Sequence, residues 1–335
     1  MNPPTFILNS RRGLALIAAL VLILIGLGGT SQQAFAQAYP NKPIRIIVAV
    51  APGGPTDHLA RMLGQKFSAA WGQTVTIENR PGAGQLIGTG VAAKAAPDGY
   101  TLLMTTNVFP VNTFLYNTLP YDPKKDFMPV SLVAASSLTL VVHPSLNITT
   151  LKELINYVKA NPGKLNYGSS GPSSSLRFAA ELLKTSAGLE MTHVPFNGAA
   201  PMTTALIGNV VQLAIVDSIA SRVHIESGRL RALAVTSAQR SPNMPNVPTM
   251  SEAGLPGYEA GSWFGLLAPA GTPSAIVNQI QSEVARIVKN PEIVESLKKL
   301  DEVGIGSTPA DFAAFIDAEG LKWGKIIRDN KITAE

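Results

Sequence analysis

The sequence has no cysteine. Disulfides, thiolate zinc centres, cysteine nucleophiles and a lipid-bearing N-terminal cysteine are therefore excluded. Charge is also scarce: Asp, Glu, Lys and Arg make up 15% of the chain, against about 25% in ordinary soluble proteins. Chains that stay disordered or wrap nucleic acid show the opposite balance. The four histidines, His58, His143, His193 and His224, fall at neither HExxH nor any other metal-ligand spacing, and they read as surface or satisfied structural residues. No metal and no cofactor is expected. Long hydrophobic runs are limited to one, residues 14–27.

That run follows Arg11-Arg12 and gives way to Gly28-Gly29-Thr30-Ser31-Gln32-Gln33, then Ala34-Phe35-Ala36. A basic start, a short apolar core and a small-x-small exit predict a secretory signal peptide over residues 1–36. The core is shorter than the roughly 20 residues that span a bilayer, which argues against an anchor. Ala36-Gln37-Ala38 offers a second cleavage point, and Ser10-Arg11-Arg12 hints at twin-arginine export. Removing residues 1–36 takes away two basic residues and no acidic one, so the net charge falls from +5 to +3. The remaining Lys and Arg are scattered, with Lys298-Lys299 the densest pair. A stripe able to track phosphates is absent, and no nucleic-acid partner is expected.

With 335 residues and about 150 per domain, two domains are expected. The pattern from Pro43 onward is α/β, alternating short β-branched runs with amphipathic helices. Residues 44–50, apolar apart from Arg45, read as a strand buried on both faces. A helix is predicted over 56–71, with Leu59, Met62, Leu63 and Phe67 on one face. Strands are predicted at 75–78, 102–105 and 130–134, with a helix over 86–95. A second set follows: strands at 138–143, 164–167, 193–195, 211–216 and 230–236, and helices over 151–161, 174–187 and 200–207. Residues 240–257, punctuated by Pro242, Pro245, Pro248 and Pro256, read as a connector. A strand at 262–267 and helices over 275–289, 293–300 and 309–329 close the chain. The last helices need a sheet to cover, and the first sheet has the fewest local helices. Residues 39–135 plus 240–335 are therefore assigned to one domain and 136–239 to another, discontinuous around a hinged cleft.

Two strand-loop-helix units repeat at an offset of 119 residues. One leaves its strand through Ala51-Pro52-Gly53-Gly54-Pro55-Thr56. The other leaves through Gly168-Ser169-Ser170-Gly171-Pro172-Ser173-Ser174-Ser175. Leu59, Ala60 and Leu63 fall opposite Phe178, Ala179 and Leu182. In open α/β sheets ligands sit at the carboxyl ends of strands. A helix N-terminus there offers unpaired N–H groups and a partial positive charge, so it holds an anion without Lys or Arg. Pro52, Gly53, Gly54, Thr56, Ser169, Ser170, Ser173 and Ser174 are candidate ligand contacts, and a carboxylate is the natural guest. The competing explanation is ordinary N-capping by Thr56 and Ser173–Ser175. Asp57 either complements the helix dipole or meets a ligand amine or cleft water. Asp217 either reaches the cleft or caps the following turn. Gly82-Ala83-Gly84-Gln85-Leu86-Ile87-Gly88 resembles a dinucleotide loop, but its third Gly is one place late and no acid follows at ribose distance. Gly84 is kept as part of a third cleft-facing loop. Gly168-Ser169-Ser170-Gly171 is not a nucleophile elbow.

The sequence resembles the substrate-binding proteins of tripartite tricarboxylate transporters, the Bug-type periplasmic receptors. The carriers run from Tyr39-Pro40 through Val50-Ala51-Pro52-Gly53-Gly54-Pro55-Thr56-Asp57, with Glu78-Asn79-Arg80-Pro81-Gly82-Ala83-Gly84 and Ala96-Pro97-Asp98-Gly99-Tyr100. They continue in Asn161-Pro162-Gly163-Lys164, His193-Val194-Pro195-Phe196-Asn197-Gly198-Ala199-Ala200-Pro201, Leu233-Ala234-Val235-Thr236-Ser237 and Trp263-Phe264-Gly265-Leu266-Leu267-Ala268-Pro269. The resemblance implies a two-lobed, type II-like Venus-flytrap fold in the periplasm. It implies a monomer that captures an organic acid, often a dicarboxylate, and delivers it to an inner-membrane permease. It also implies that the two loops above grip a carboxylate, partly through ordered waters. Asn197, Gly198, Ala199 and Ala200 begin a further cleft-facing helix. Family members often carry Gly and a polar residue such as His where this chain has Pro172-Ser173-Ser174-Ser175-Leu176-Arg177. That loop, with Asn107 and Phe109 in Thr105-Thr106-Asn107-Val108-Phe109, leaves the particular acid open. Phe109, Phe196 and Phe264, if they lined the cleft, would favour an aromatic or longer acid. The alternatives are a sensory subunit for a signalling kinase and an exported serine hydrolase, which needs a base beside the loop serine that the sequence does not place.

Overall fold

Residues 39–171 and 174–334 are described by the computed structural model, so the signal peptide and Ser173 lie outside the described residues. Ten strands form one continuous sheet. In chain order they are β1 (Ile44–Val48), β2 (Val75–Asn79), β3 (Thr101–Thr106), β4 (Phe127–Val142), β5 (Asn166–Ser169), β6 (Thr192–Pro195), β7 (Leu213–Asp217), β8 (Arg231–Val235), β9 (Gly261–Pro269) and β10 (Glu302–Gly304). The helices are α1 (Pro55–Trp71), α2 (Leu86–Ala93), α3 (Val108–Leu115), α4 (Leu151–Ala160), α5 (Ser175–Ala187), α6 (Ala199–Ile207), α7 (Ser218–Glu226), α8 (Ser274–Val288), α9 (Pro291–Lys299) and α10 (Pro309–Asp329). The strand order is β2-β1-β3-β9-β4-β7-β5-β6, with β10 and β8 also paired to β4.

The long strand β4 joins the two halves of this sheet. Residues 127–137 pair antiparallel with β9, and Ala134–Ser136 also pair with β10. Residues 138–142 pair antiparallel with β7 and β8. The sequence suggested two strands here because Ser136-Ser137 interrupts the apolar pattern. The interruption is real but it is a change of partner, not of direction. Ala135, Ser136 and Ser137 are half-buried between two fully buried stretches. Register shifts at Pro129/Ser131 and Leu132/Ala134 bend the strand as it approaches that point.

Each half has its own core. In the first, Ile47, Leu103, Phe109, Phe127, Leu132, Trp263, Leu267 and Phe312 pack together. In the second, Leu138, Leu140, Leu154, Tyr167, Phe178, Leu183, Leu213 and Ile215 do so. Met250, Leu255 and Tyr258, which the sequence placed in the first domain, pack in this second cluster with Trp323 and Ile327 of α10. Tyr258 donates its hydroxyl to the Ala179 carbonyl of α5 at 2.6 Å.

Three short elements escape sequence periodicity. In α3, Pro110 sits in the first turn, where its missing N–H costs nothing. In α7 the buried positions are Ser218 and Ser221, so no hydrophobic stripe marks it. Strand β10 has only three residues.

Helix α10 is locked onto β9 by aromatic packing. Trp263 meets the Phe312 ring edge-on at 5.7 Å, and its Nε1–H donates to Glu319 at 3.0 Å. Trp323 donates to the same carboxylate at 2.8 Å. Gly265 leaves room for Phe312, because a Cβ there would lie 2.0 Å from the ring. Gly265→Ala should therefore cost about 1–3 kcal/mol, as overpacked cores do, lowering the urea midpoint. Phe312→Leu in that background should restore part of the loss. An unchanged midpoint in Gly265→Ala would contradict this packing.

Candidate functional site

The exits of four strands gather at the point where β4 changes partners. Val48 lies level with Met104, and Thr106 with Phe264, which is itself level with Ala134 of β4. The exits of β1 and β3 thus sit side by side in the first half. In the second half Gly168 lies level with Ala214, and Asp217 with Leu138 of β4. The two repeated loops, 49–54 and 170–174, belong one to each half. Both lead into helices whose faces match, with Leu59, Ala60, Leu63, Phe178 and Ala179 completely buried.

Side-chain caps are present on some helices and absent from others. The N-caps of α4, α9 and α10 are Thr150, Asn290 and Thr308, and each side chain accepts a backbone N–H of its helix. By contrast α1, α3, α6 and α7, like α2 and α8, have no side-chain cap; the first four start at Gly54, Asn107, Gly198 and Asp217, at the strand exits. Apart from Val108, whose N–H reaches Thr106 Oγ1 at 3.4 Å, the first N–H groups of α1, α3, α6 and α7 find no cap within their own helices. Thr56 lies inside α1 and does not cap it. Ser174 is different: it caps α5 by accepting the Arg177 N–H at 3.2 Å. Gly53 adopts φ +93°, and a Cβ at Gly53, Gly54 or Gly198 would meet nothing within 4 Å. Pro52, Gly53, Asn197 and Ala200 are exposed, while Gly54, Ser170, Gly198 and Ala199 are half-buried.

Asp57 braces the first loop. Its buried carboxylate accepts Arg61 Nε at 2.9 Å, Asn79 Nδ2 at 2.9 Å and the Gly53 N–H at 3.0 Å. The hydrogen bond from Arg61 does most to hold its pKa down to about 2. With those partners Asp57 shapes the turn rather than facing a guest amine. Gly84 is tied in as well: its carbonyl accepts Asn112 Nδ2 at 2.9 Å, and neighbouring Gln85 donates to Thr106 Oγ1 at 2.9 Å. Gly88 serves packing, since a Cβ there would lie 2.8 Å from the Ala49 Cα. Asn107 is 2% exposed, and its Nδ2 has no partner among the described residues.

Two aromatic expectations need correction. Phe109 is in the core, stacked on Tyr121 at 6.0 Å and edge-on to Phe127 at 5.4 Å. Phe264 is likewise buried at 3% exposure. Phe196 is half-buried and packs over Gly168. Phe109 and Phe264 therefore give no basis for an aromatic preference, because apolar rings near strand ends go first to the core.

His193 was not singled out by the sequence. Its Nε2 lies 2.7 Å from Ser169 Oγ, and its ring stacks on Tyr167 at 5.0 Å. The only hint was its β-strand neighbourhood: Tyr167 and His193 are partners in the parallel β5–β6 register. Tyr167 donates to the buried Glu181 at 2.5 Å, and Lys184 pairs with the same carboxylate at 2.9 Å. Burial, aided by the Arg177 charge, lowers the His193 pKa to about 4. Ser169 is completely buried, and its hydroxyl also donates to the Gly171 carbonyl at 3.1 Å. Across β4, burial raises the Asp217 carboxyl above its ordinary range.

The sign of the His193 effect follows from linkage. Between pH 6.5 and 4 the unfolded chain binds a proton at this histidine that the folded chain refuses. Its contribution to stability is therefore complete above about pH 6.5 and falls as pH drops toward 4. His193→Gln, which keeps a partner for Ser169, should flatten that acid loss in urea titrations. Parallel pH profiles for the two proteins would contradict the assignment.

Comparisons with known proteins match this geometry. Residues 59–332 match the family described as the tripartite tricarboxylate transporter family receptor. The protein BugT of Bordetella pertussis is 36% identical over 315 residues, covering 93% of this chain and 97% of its own. The structure of R. palustris Rpa4515 with adipate superposes with a TM-score of 0.79 at 36% identity, covering 88% of this chain and 99% of the other. MatC from Rhodopseudomonas palustris with bound malate gives 0.74 at 30% identity, covering 86% and 100%. The α/β fold is that of the two-lobed periplasmic solute-binding proteins. The chain belongs to the tripartite tricarboxylate transporter receptor family, among its Bug-type members.

Proposed function

We propose that this protein is a periplasmic receptor, exported on a signal peptide cleaved near residue 36, that captures an aliphatic dicarboxylate and delivers it to a permease of the tripartite tricarboxylate type. The observation that carries the reading is the pairing of uncapped helix N-termini on either side of the β4 crossing. Backbone N–H groups at Gly54 and Thr56 in one lobe, and at Ser170, Ala199 and Ala200 in the other, are the donors to the anion. Closure of the two lobes, which meet along β4, brings both sets to the same carboxylate and excludes water, which strengthens each hydrogen bond. Bound adipate and malate in the two solved relatives support a carboxylate ligand. Among the described residues no helix is long and apolar enough to cross a membrane. The hydrolase alternative finds its missing base in His193, but the partner hydroxyl of Ser169 has no exposed surface for an ester carbonyl to approach.

Calorimetry with succinate, malate, adipate and benzoate tests the reading. Gly54→Pro deletes one N–H at a backbone φ of −88°, somewhat outside proline's range near −65°, so circular dichroism checks that the variant is folded. It should weaken the best dicarboxylate at least tenfold, about 1.4 kcal/mol. Ser170→Ala keeps the backbone donor and removes the hydroxyl of the opposite loop, and it should also weaken binding. Absence of binding by all three dicarboxylates, or an affinity indifferent to both variants, would overturn the proposal.

A further inference from the structure

A cavity of about 530 Å³ is lined by none of the loop residues named above as donors. Its wall includes Ser136 and Ser137 of β4, Ser237–Pro242 on the return segment, Gly261, and Asp301-Glu302 at the start of β10. These are the segments by which the chain passes between the two halves of the sheet.

The cavity's polar groups are unbalanced. Glu302 is 4% exposed and Asp301 6% exposed. Glu302 Oε2 and Asp301 Oδ2 have no hydrogen-bond partner among the described residues. Consecutive side chains on a strand ordinarily face opposite ways. A left-handed backbone at Asp301, φ 56°, lets both line the same space. Asp301 Oδ1 is already satisfied by Ser241 Oγ at 2.6 Å and Asn243 Nδ2 at 2.7 Å. The nearby cations do not answer the two free oxygens: Arg240 is committed to Glu252 at 2.8 Å and the Pro245 carbonyl at 3.0 Å, and Lys298 is exposed on the rim. Asp217, in register with Leu138 on β4, adds further negative charge. Burial, then repulsion from Asp217, pushes the Glu302 carboxyl up to about 8. A buried carboxyl oxygen without a donor costs stability unless something fills the need.

We propose that this cavity binds a short aliphatic amine as its ammonium ion, with Glu302 and Asp301 accepting the N–H donors and Ser136, Ser137 and Ser237 lining the alkyl chain's path. An ammonium offers three donors and no acceptor, which complements two unpartnered carboxyl oxygens. Among the described residues no three metal-ligating side chains gather into a group, so the donor set suits an organic cation. The bound amine touches both crossing segments and so stabilises one arrangement of the two halves. This site is independent of the carboxylate reading, and the two fail separately.

Calorimetry on the full mature chain with butylamine and 1,4-diaminobutane, and butanol as the uncharged control, tests it. Saturable binding of an amine but not of butanol is expected. Glu302→Gln should weaken it at least tenfold, and Val294→Trp, which fills the cavity from α9 without altering a carboxyl, should abolish it. Adipate titrated into the same variants reports on the other site and should be unaffected. Circular dichroism checks that each variant is folded; if Glu302→Gln is not, Val294→Trp and the wild type decide. No saturable amine binding, equal binding of butanol, or amine affinity that survives Val294→Trp overturns the proposal.

Discussion

The pairing of β4 with β9, from Phe127–Pro269 to Ser137–Gly261, is the contact on which the other features depend. It runs up to the place where β4 leaves one set of neighbours for another. Because β4 does not break there, the ends of β1 and β3 on one side and of β5 and β7 on the other are fixed relative to a common strand. A hydrogen-bonded strand is stiff along its length yet can twist and bend at register shifts, and β4 carries such shifts on the first-half side. Aromatic packing of Trp263, Phe312 and Phe315 against β9 keeps that side from yielding.

With charge held to 15% of residues, the molecule has little use for arginine or lysine as anion ligands. In the proposed function its means of holding an anion are instead backbone N–H groups at helix starts without side-chain caps. Such donors are neutral, do not titrate, and are positioned by the helix they begin. The polar side chains nearby act one step back. Asp57 fixes the Gly53 turn through Arg61 and Asn79, Gln85 ties its loop to Thr106, and His193 orients Ser169.

Much of this was legible before the structure. The run at Ile44–Val48 and the spacing of Leu59, Leu63 and Phe67 gave β1 and α1, because both report burial on a regular period. The loop-helix repeat was readable for the same reason, since helix faces and glycines leave local marks. What was not legible depends on partners distant in sequence. Ser136-Ser137 read as a break because only pairing with Gly261 and Ser262 shows the strand continuing. Helix α7 was silent because it buries Ser218, which meets Thr139 at 2.7 Å, in place of apolar residues. Phe109 could not be assigned to core or cleft until Tyr121 and Phe127 were seen around it. His193 acquired a role only through the β5–β6 register.

In the proposed closed form one carboxylate is held between the uncapped helix starts of both lobes. A crystal structure of the adipate-soaked or co-crystallised protein measures this directly. The expected result is a carboxylate within hydrogen-bond distance, directly or through one water, of N–H groups in both the 53–56 loop and the start of α6 at Ala199–Ala200, with the lobes closed on it. A ligand bound to one lobe alone, or seated away from both segments, would contradict it.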